Sequence, residues 1–252
     1  MLEQIASIAH LNTLSSELKG DISFNATLPL LLKVLGKDKN GEYILTLGNK
    51  TIRTKSHKEL LIGQKYWANM SRSSVGAIIL SDLIRQPKMI EVIEKSPLKF
   101  ILSDLEKILK ESKKEPLEAY KDFLIDKFAN AQNRYDFLNL GNLLLSLHKN
   151  VLSFVISDSN KDGLIQIKPS KFKKQSLEFY AIYPHLGPLE GKVYLNDSGV
   201  SAWIYVSYES VKKILERHKG ELSGFDSVNI EVKKSIIEPL FEFEEGLLDV
   251  KG

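Results

Sequence analysis

The run between Tyr183 and Val232, YPHLGPLEGKVYLNDSGVSAWIYVSYESVKKILERHKGELSGFDSVNIEV, constrains this chain more than any other stretch. Two alternating segments, GKVYLND and VSAWIYVS, flank Asp197-Ser198-Gly199, a hairpin signal. Val193 and Leu195 share one face of the first segment. On the return, Ile204 and Val206 share one face and Trp203 and Tyr205 the other. One of those faces must be core, and the sequence leaves open which. Ser207 is placed to cap the helix that follows, and Val211, Ile214 and Leu215 give that helix an apolar stripe. Lys219-Gly220 closes it, and Gly224 leads into a last strand with Val228, Ile230 and Val232. These signals predict an α+β unit of antiparallel strands with one crossing helix over residues 150–252. An acidic tail with Glu242, Glu244, Glu245 and Asp249 ends it.

Upstream the chain changes character three times. Leu2, Ile5, Ile8, Ala9 and Leu18 recur at helical spacing before Gly20, which predicts an N-terminal helix over residues 1–24; a tether or export segment is the other reading. Residues 25–75 then read as short strands, LPLLLKVLG, EYILTLG, KTIRTKS and QKYWANM, with turns at Asn40-Gly41, Gly48-Asn49 and near Gly63. A small β-barrel-like domain is expected there. Residues 76–149 read as helical. Ser96-Pro97 looks like an N-cap and first turn for a stripe of Leu98, Ile101, Leu102, Leu105, Ile108 and Leu109. Glu115-Pro116 opens a second helix with Leu117, Tyr120, Leu124 and Phe128, and Asp136 to His148 supplies a third.

Composition narrows the function classes. At 43% hydrophobic and 27% charged, the 252 residues are ordinary for a globular protein. With no cysteine, disulfides and thiolate metal sites are excluded. No apolar run approaches the roughly 20 residues of a membrane-spanning helix, and MLEQIASIAHLNTLSSELKG lacks the pattern of a signal peptide. The cytoplasm is the expected compartment. The net charge of +3 does not by itself call for nucleic acid.

Charge is nevertheless uneven. Between Lys33 and Lys65 there are eight Lys/Arg against three acids. A small barrel with exposed aromatics such as Tyr43, Tyr66 or Trp67 and a basic face can hold single-stranded nucleic acid by stacking and phosphate contacts. Lys50, Arg53 and Lys55 are the candidates for that alternative. The competing reading makes the aromatics core and the lysines a solvated face.

Asp158 to Ile165 copies the start of a calcium-binding EF-hand loop, with oxygens at its first, third and fifth positions and Gly163 at the sixth. The twelfth position, which should supply a bidentate Glu, is Pro169. The flanks VLSFVIS and LIQIKP read as strands, so the segment is expected to be a hairpin turn and no metal is assigned. Lys171, Lys173 and Lys174 follow it as a solvated turn.

The histidines His10, His57, His148, His185 and His218 are scattered without a metal-ligand spacing, and no nucleophile elbow, Walker loop or dinucleotide fingerprint is present. A non-enzymatic protein without a cofactor is expected. The candidate partner-binding residues are the large polar or aromatic groups nearest the hairpin: Tyr183, His185, Trp203 and Tyr205.

One resemblance adds to this reading. Pro184-His185-Leu186-Gly187, GKVYLNDSGVSAWIYV, VKKILERHKGEL and Ser223-Gly224-Phe225 follow in the order of the C-terminal domain of flagellar hook-length control proteins, with one residue fewer between Pro184 and Leu186. The similarity covers roughly the last quarter of the chain. It implies a module that binds the cytoplasmic part of the flagellar type III export gate, or its homologue, and switches the gate's substrate preference. It also implies a route out of the cell through the flagellar apparatus. Ruler members of that family carry a long, poorly structured N-terminal part, whereas residues 20–150 here read as folded, so a gate-binding relative fits better than a ruler.

Overall fold

The computed structural model describes residues 28–56, 58–72, 78–96, 116–158, 161–170, 175–197 and 199–244. The helices expected over residues 1–24 and Leu98–Leu109 and the turn lysines Lys171, Lys173 and Lys174 lie outside them, as does the end of the acidic tail. The fold is α+β, built on two sheets. The chain divides into two compact units. One runs to Gln86 and takes in His185–Gly187; the other holds Pro87–Pro184 and Pro188–Gly252.

The first unit is an antiparallel sheet of β1 (Leu30–Lys37), β2 (Tyr43–Leu47), β3 (Lys50–Thr54), β4 (Lys65–Arg72) and β5 (Ile78–Arg85). Its order is β3-β2-β1-β4-β5. The sheet is open where the sequence suggests a barrel-like form, because its two edges, β3 and β5, do not pair. Alternation on β1 and β2 turns Leu32, Val34, Tyr43, Leu45 and Leu47 to one side, where they pack with Leu60, Tyr66 and Leu80. The two tyrosines are not wasted as core: Leu60 N–H donates to the Tyr43 hydroxyl at 3.2 Å and Leu61 N–H to the Tyr66 hydroxyl at 3.0 Å. This pins the loop before β4 to the sheet.

Strand β5 falls where the sequence reading is helical. Its apolar residues Ile78, Ile79, Leu80, Leu83 and Ile84 break the two-residue alternation, and the structure shows why. Pairing with β4 shifts register between Trp67↔Ile84 and Asn69↔Ser81, a β-bulge, and Asp82 sits at φ 52 within it. Asn69 Nδ2 and the Ser81 hydroxyl both donate to the Asp82 carboxylate, at 2.9 and 3.1 Å, which holds the bulge. The unit boundary therefore falls after Gln86 and not after residue 75. A second bulge between Val34 and Gly36 turns Leu35 out to solvent at 47% exposure.

The second unit begins with α1 (Met89–Lys95), α2 (Pro116–Ala129) and α3 (Arg134–His148). Pro116 starts α2 as expected. The start of α3 is capped by Asn133, whose side-chain oxygen accepts from Tyr135 N at 3.0 Å and Asp136 N at 2.9 Å. Phe128 and Phe137, with ring centroids 4.5 Å apart, join α2 to α3. The Ser96 hydroxyl donates to Asp136 Oδ1 at 2.5 Å and so ties the end of α1 to the start of α3.

A six-stranded sheet follows: β6 (Leu152–Asp158), β7 (Lys161–Pro169), β8 (Ser176–Tyr183), β9 (Gly187–Asn196), β10 (Gly199–Val206) and β11 (Ser227–Val232), in the order β11-β10-β9-β8-β7-β6. Asp158 pairs with Lys161, so the calcium-loop mimic is a hairpin turn between β6 and β7. Gly163 has a different use from the one an EF-hand would give it. A Cβ there would lie 2.6 Å from the Tyr183 ring, so the glycine makes room for that side chain.

Strands β6, β7 and β8 pair antiparallel, as do β9 and β10, but β11 lies parallel to β10, from Ser201↔Ser227 to Val206↔Val232. The reason is α4 (Glu209–Arg217), which carries the chain back along the sheet and makes the crossover that a parallel pair needs. Ser207 does not cap this helix; its hydroxyl donates to Pro188 O at 3.4 Å, and Tyr208 occupies the cap position. Helix α4 lies against β10 and β11. It buries Val211, and Ala202, Val206, Val228 and Ile230 are buried on the strands beneath.

Candidate functional site

Register decides what the uncovered face of β9 and β10 carries. Alternation turns Ala202, Ile204 and Val206 toward α4, so Ser201, Trp203 and Tyr205 point to the opposite face. On β9, Tyr194 stands opposite Ser201, Lys192 opposite Trp203 and Glu190 opposite Tyr205. On β11 the neighbours are Ser227, Asn229 and Glu231, all exposed. Lys192, Tyr194, Asn196, Ser201, Trp203 and Tyr205 line an open groove of about 400 Å³. Trp203 is 38% exposed, a large aromatic left uncovered on a flat sheet face.

The charges of β8 and β9 beside the groove are paired. Glu178 Oε2 lies 3.3 Å from Lys168 Nζ, and its Oε1 lies 3.5 Å from Lys192 Nζ. Lys233 Nζ meets Glu190 Oε1 at 2.5 Å. Burial by itself would raise the Glu178 carboxyl; the hydrogen bond and charge of Lys168, joined by those of Lys192, outweigh it and hold the carboxyl below its ordinary range. A carboxyl with a lowered folded-state pKa contributes stability above its unfolded pKa, and that contribution is lost as the pH falls through the lowered value. Glu178→Gln is therefore expected to be less stable than the native chain at neutral pH and to converge with it in acid. Thermal midpoints measured down through the carboxylate range check this, and a gap that stays constant with pH would refute it.

The four candidate partner residues do not form one cluster. Trp203 and Tyr205 come together in the groove. Tyr183 turns to the other face of the sheet, over Gly163, and burial pushes its phenol up. His185 is exposed in the turn between β8 and β9 and is no part of the groove lining. Lys192, Tyr194, Asn196 and Ser201 are the residues that sequence reading missed. Their signal was present, because a two-residue Asp197-Ser198 loop sets Gly199 opposite Asn196 and so places Lys192 beside Trp203.

In the first unit, Lys50, Arg53 and Lys55 are all exposed on or beside the edge strand β3. They do not share a face: Arg53 and Lys55 alternate with Ile52 and Thr54, and Thr54 is buried, while Lys50 has the parity of the buried side. Tyr43, Tyr66 and Trp67, the rings that could stack on bases, are buried at 3%, 7% and 0% exposure. Among the described residues, no group of three or more His, Asp or Glu is placed to hold a metal ion. No helix among them is long and apolar enough to cross a membrane.

What this arrangement offers chemically is an aromatic surface with polar neighbours, among them a lysine already paired with Glu178. It suits non-covalent recognition, in which Trp and Tyr supply large contact area at low entropic cost. Compared with family models, curated proteins and solved structures, the chain finds no match, so the functional reading rests on its own residues.

Proposed function

We propose that this chain is a non-enzymatic interaction protein of the flagellar type III export system, which docks the cytoplasmic part of the export gate through the β9–β10 face and influences hook length or substrate switching. The observation that carries the reading is Trp203, left 38% exposed between Lys192 and Asn229 on a face that α4 does not cover. Aromatic residues of this kind dominate binding energy where a partner excludes water from them. The strand–turn–strand–helix–strand order from Gly187 to Val232 supports the resemblance to the hook-length control domain, as that order is what the similar segments share.

The test is titration of the full chain with the purified cytoplasmic domain of the export-gate protein, followed calorimetrically. A dissociation constant on the order of micromolar is expected, typical of a transient docking contact of standard size. Absence of heat and of co-elution at high concentrations of both folded proteins would overturn the assignment.

A further inference from the structure

After Lys233 the chain leaves the sheet and runs back over the unit as an extended segment, Ile237–Glu244, which is held mainly through its backbone. Gln166 on β7 donates from its side-chain amide to Phe241 O at 2.8 Å and accepts from Phe241 N–H at 3.2 Å. Asn142 on α3 repeats the arrangement, donating to Glu244 O at 3.0 Å and accepting from Glu244 N–H at 2.7 Å. Both amides are fully buried, and each reads the two main-chain groups of a single residue. This is the pairing a strand would make with a peptide, supplied here by side chains.

The segment also looks like a peptide ligand. Ile237 is buried and Phe241 and Phe243 are partly covered, while Glu238, Glu242 and Glu244 face solvent. Two polar groups beside Gln166 are left without a partner. Ser153 and Tyr180 flank Gln166 in register on the same face. The Ser153 hydroxyl and the Tyr180 hydroxyl are both buried without a hydrogen-bond partner, although buried polar groups are normally satisfied. The link to the sheet, Lys234–Ile236, is exposed, with Ile236 at 79%.

We propose that the surface formed by α3 and β7 is a peptide-recognition groove, occupied in this structure by the chain's own Ile237–Glu244 and able to accept in its place an extended peptide with apolar side chains at alternate positions. The inference is independent of the export reading, since it rests on a different set of residues from the Trp203 face.

The experiment introduces a specific protease site into the Lys234–Ile236 link of the full chain, cleaves it, and adds a fluorescein-labelled peptide of sequence IIEPLFEFE, residues 236–244. The cleaved protein is expected to keep its native circular dichroism and to take up the labelled peptide in exchange for its own segment. Gln166→Ala and Asn142→Ala should each weaken uptake about tenfold, as each removes two hydrogen bonds. Gln166→Glu, which sets a buried acceptor-only carboxylate against the Phe241 carbonyl, should weaken it at least as much at neutral pH. Loss of native structure on cleavage, failure of the peptide to exchange, or uptake indifferent to all three substitutions would each overturn the proposal.

Discussion

Gly191→Ala is expected to destabilise the C-terminal unit by about 3 kcal/mol, the upper end of what overpacking costs, seen as a fall in the urea midpoint at unchanged slope. Gly191 lies on β9 opposite Ile204. A Cβ at this position would sit 2.2 Å from the Trp203 carbonyl oxygen and 2.6 Å from two atoms of the Phe179 ring. The ring can swing aside. The carbonyl cannot, because it belongs to a strand held between β9 and β11, and moving it strains both ladders. Gly220→Ala is the matched control, since a Cβ there meets nothing within 4 Å, and it should change stability by no more than about 0.5 kcal/mol. Equal effects of the two substitutions would refute the steric account.

Trp203→Ala is expected to lower affinity for the export-gate partner by about 2–4 kcal/mol, on the order of 30-fold or more, while leaving the fold intact. Trp203 stands near the middle of the uncovered face, with Tyr194, Tyr205 and Lys192 around it, which is where the energetically dominant residue of a docking surface is found. Because its ring projects away from α4, truncation opens no cavity in the core and should cost about 1 kcal/mol of stability or less. Trp203→Phe should recover part of the affinity. Arg53→Glu on the first unit should leave it unchanged. If Trp203→Ala binds as well as the native chain, the β9–β10 face is not the docking surface, whatever the partner proves to be.

The same Trp203 shows how far local pattern reaches. That it and Tyr205 share a face follows from alternation alone, and so does the opposition of that face to Ile204 and Val206. Which face is core does not follow. Both sets are apolar enough to be buried, and the choice depends on where α4 lands after its crossover, a long-range event with no local signature. The parallel pairing of β11 comes from the same event.

The four strands β1 to β4, the hairpin at Asp197-Ser198 and helices α2 and α3 were legible because each is specified by neighbours within a few residues: periodicity, a turn pair, a proline at a first turn. Strand β5 was not, because its bulge at Asp82 makes sense only against β4. That Asp158 to Gly163 forms a hairpin turn was legible, but the need for glycine at 163 was not: it clears space for Tyr183, a residue far along the chain but adjacent on the neighbouring strand. The orphaned hydroxyls beside Gln166 and the backbone-reading amides of Gln166 and Asn142 had no sequence signal at all. What the sequence by itself determined is therefore the regular elements and the two-sidedness of each, β5 excepted, since short-range sterics and hydrophobic spacing act within one element. The tertiary structure alone decided which sides were covered, and hence that Trp203 is left uncovered, because burial is a property of pairs of elements distant in the chain.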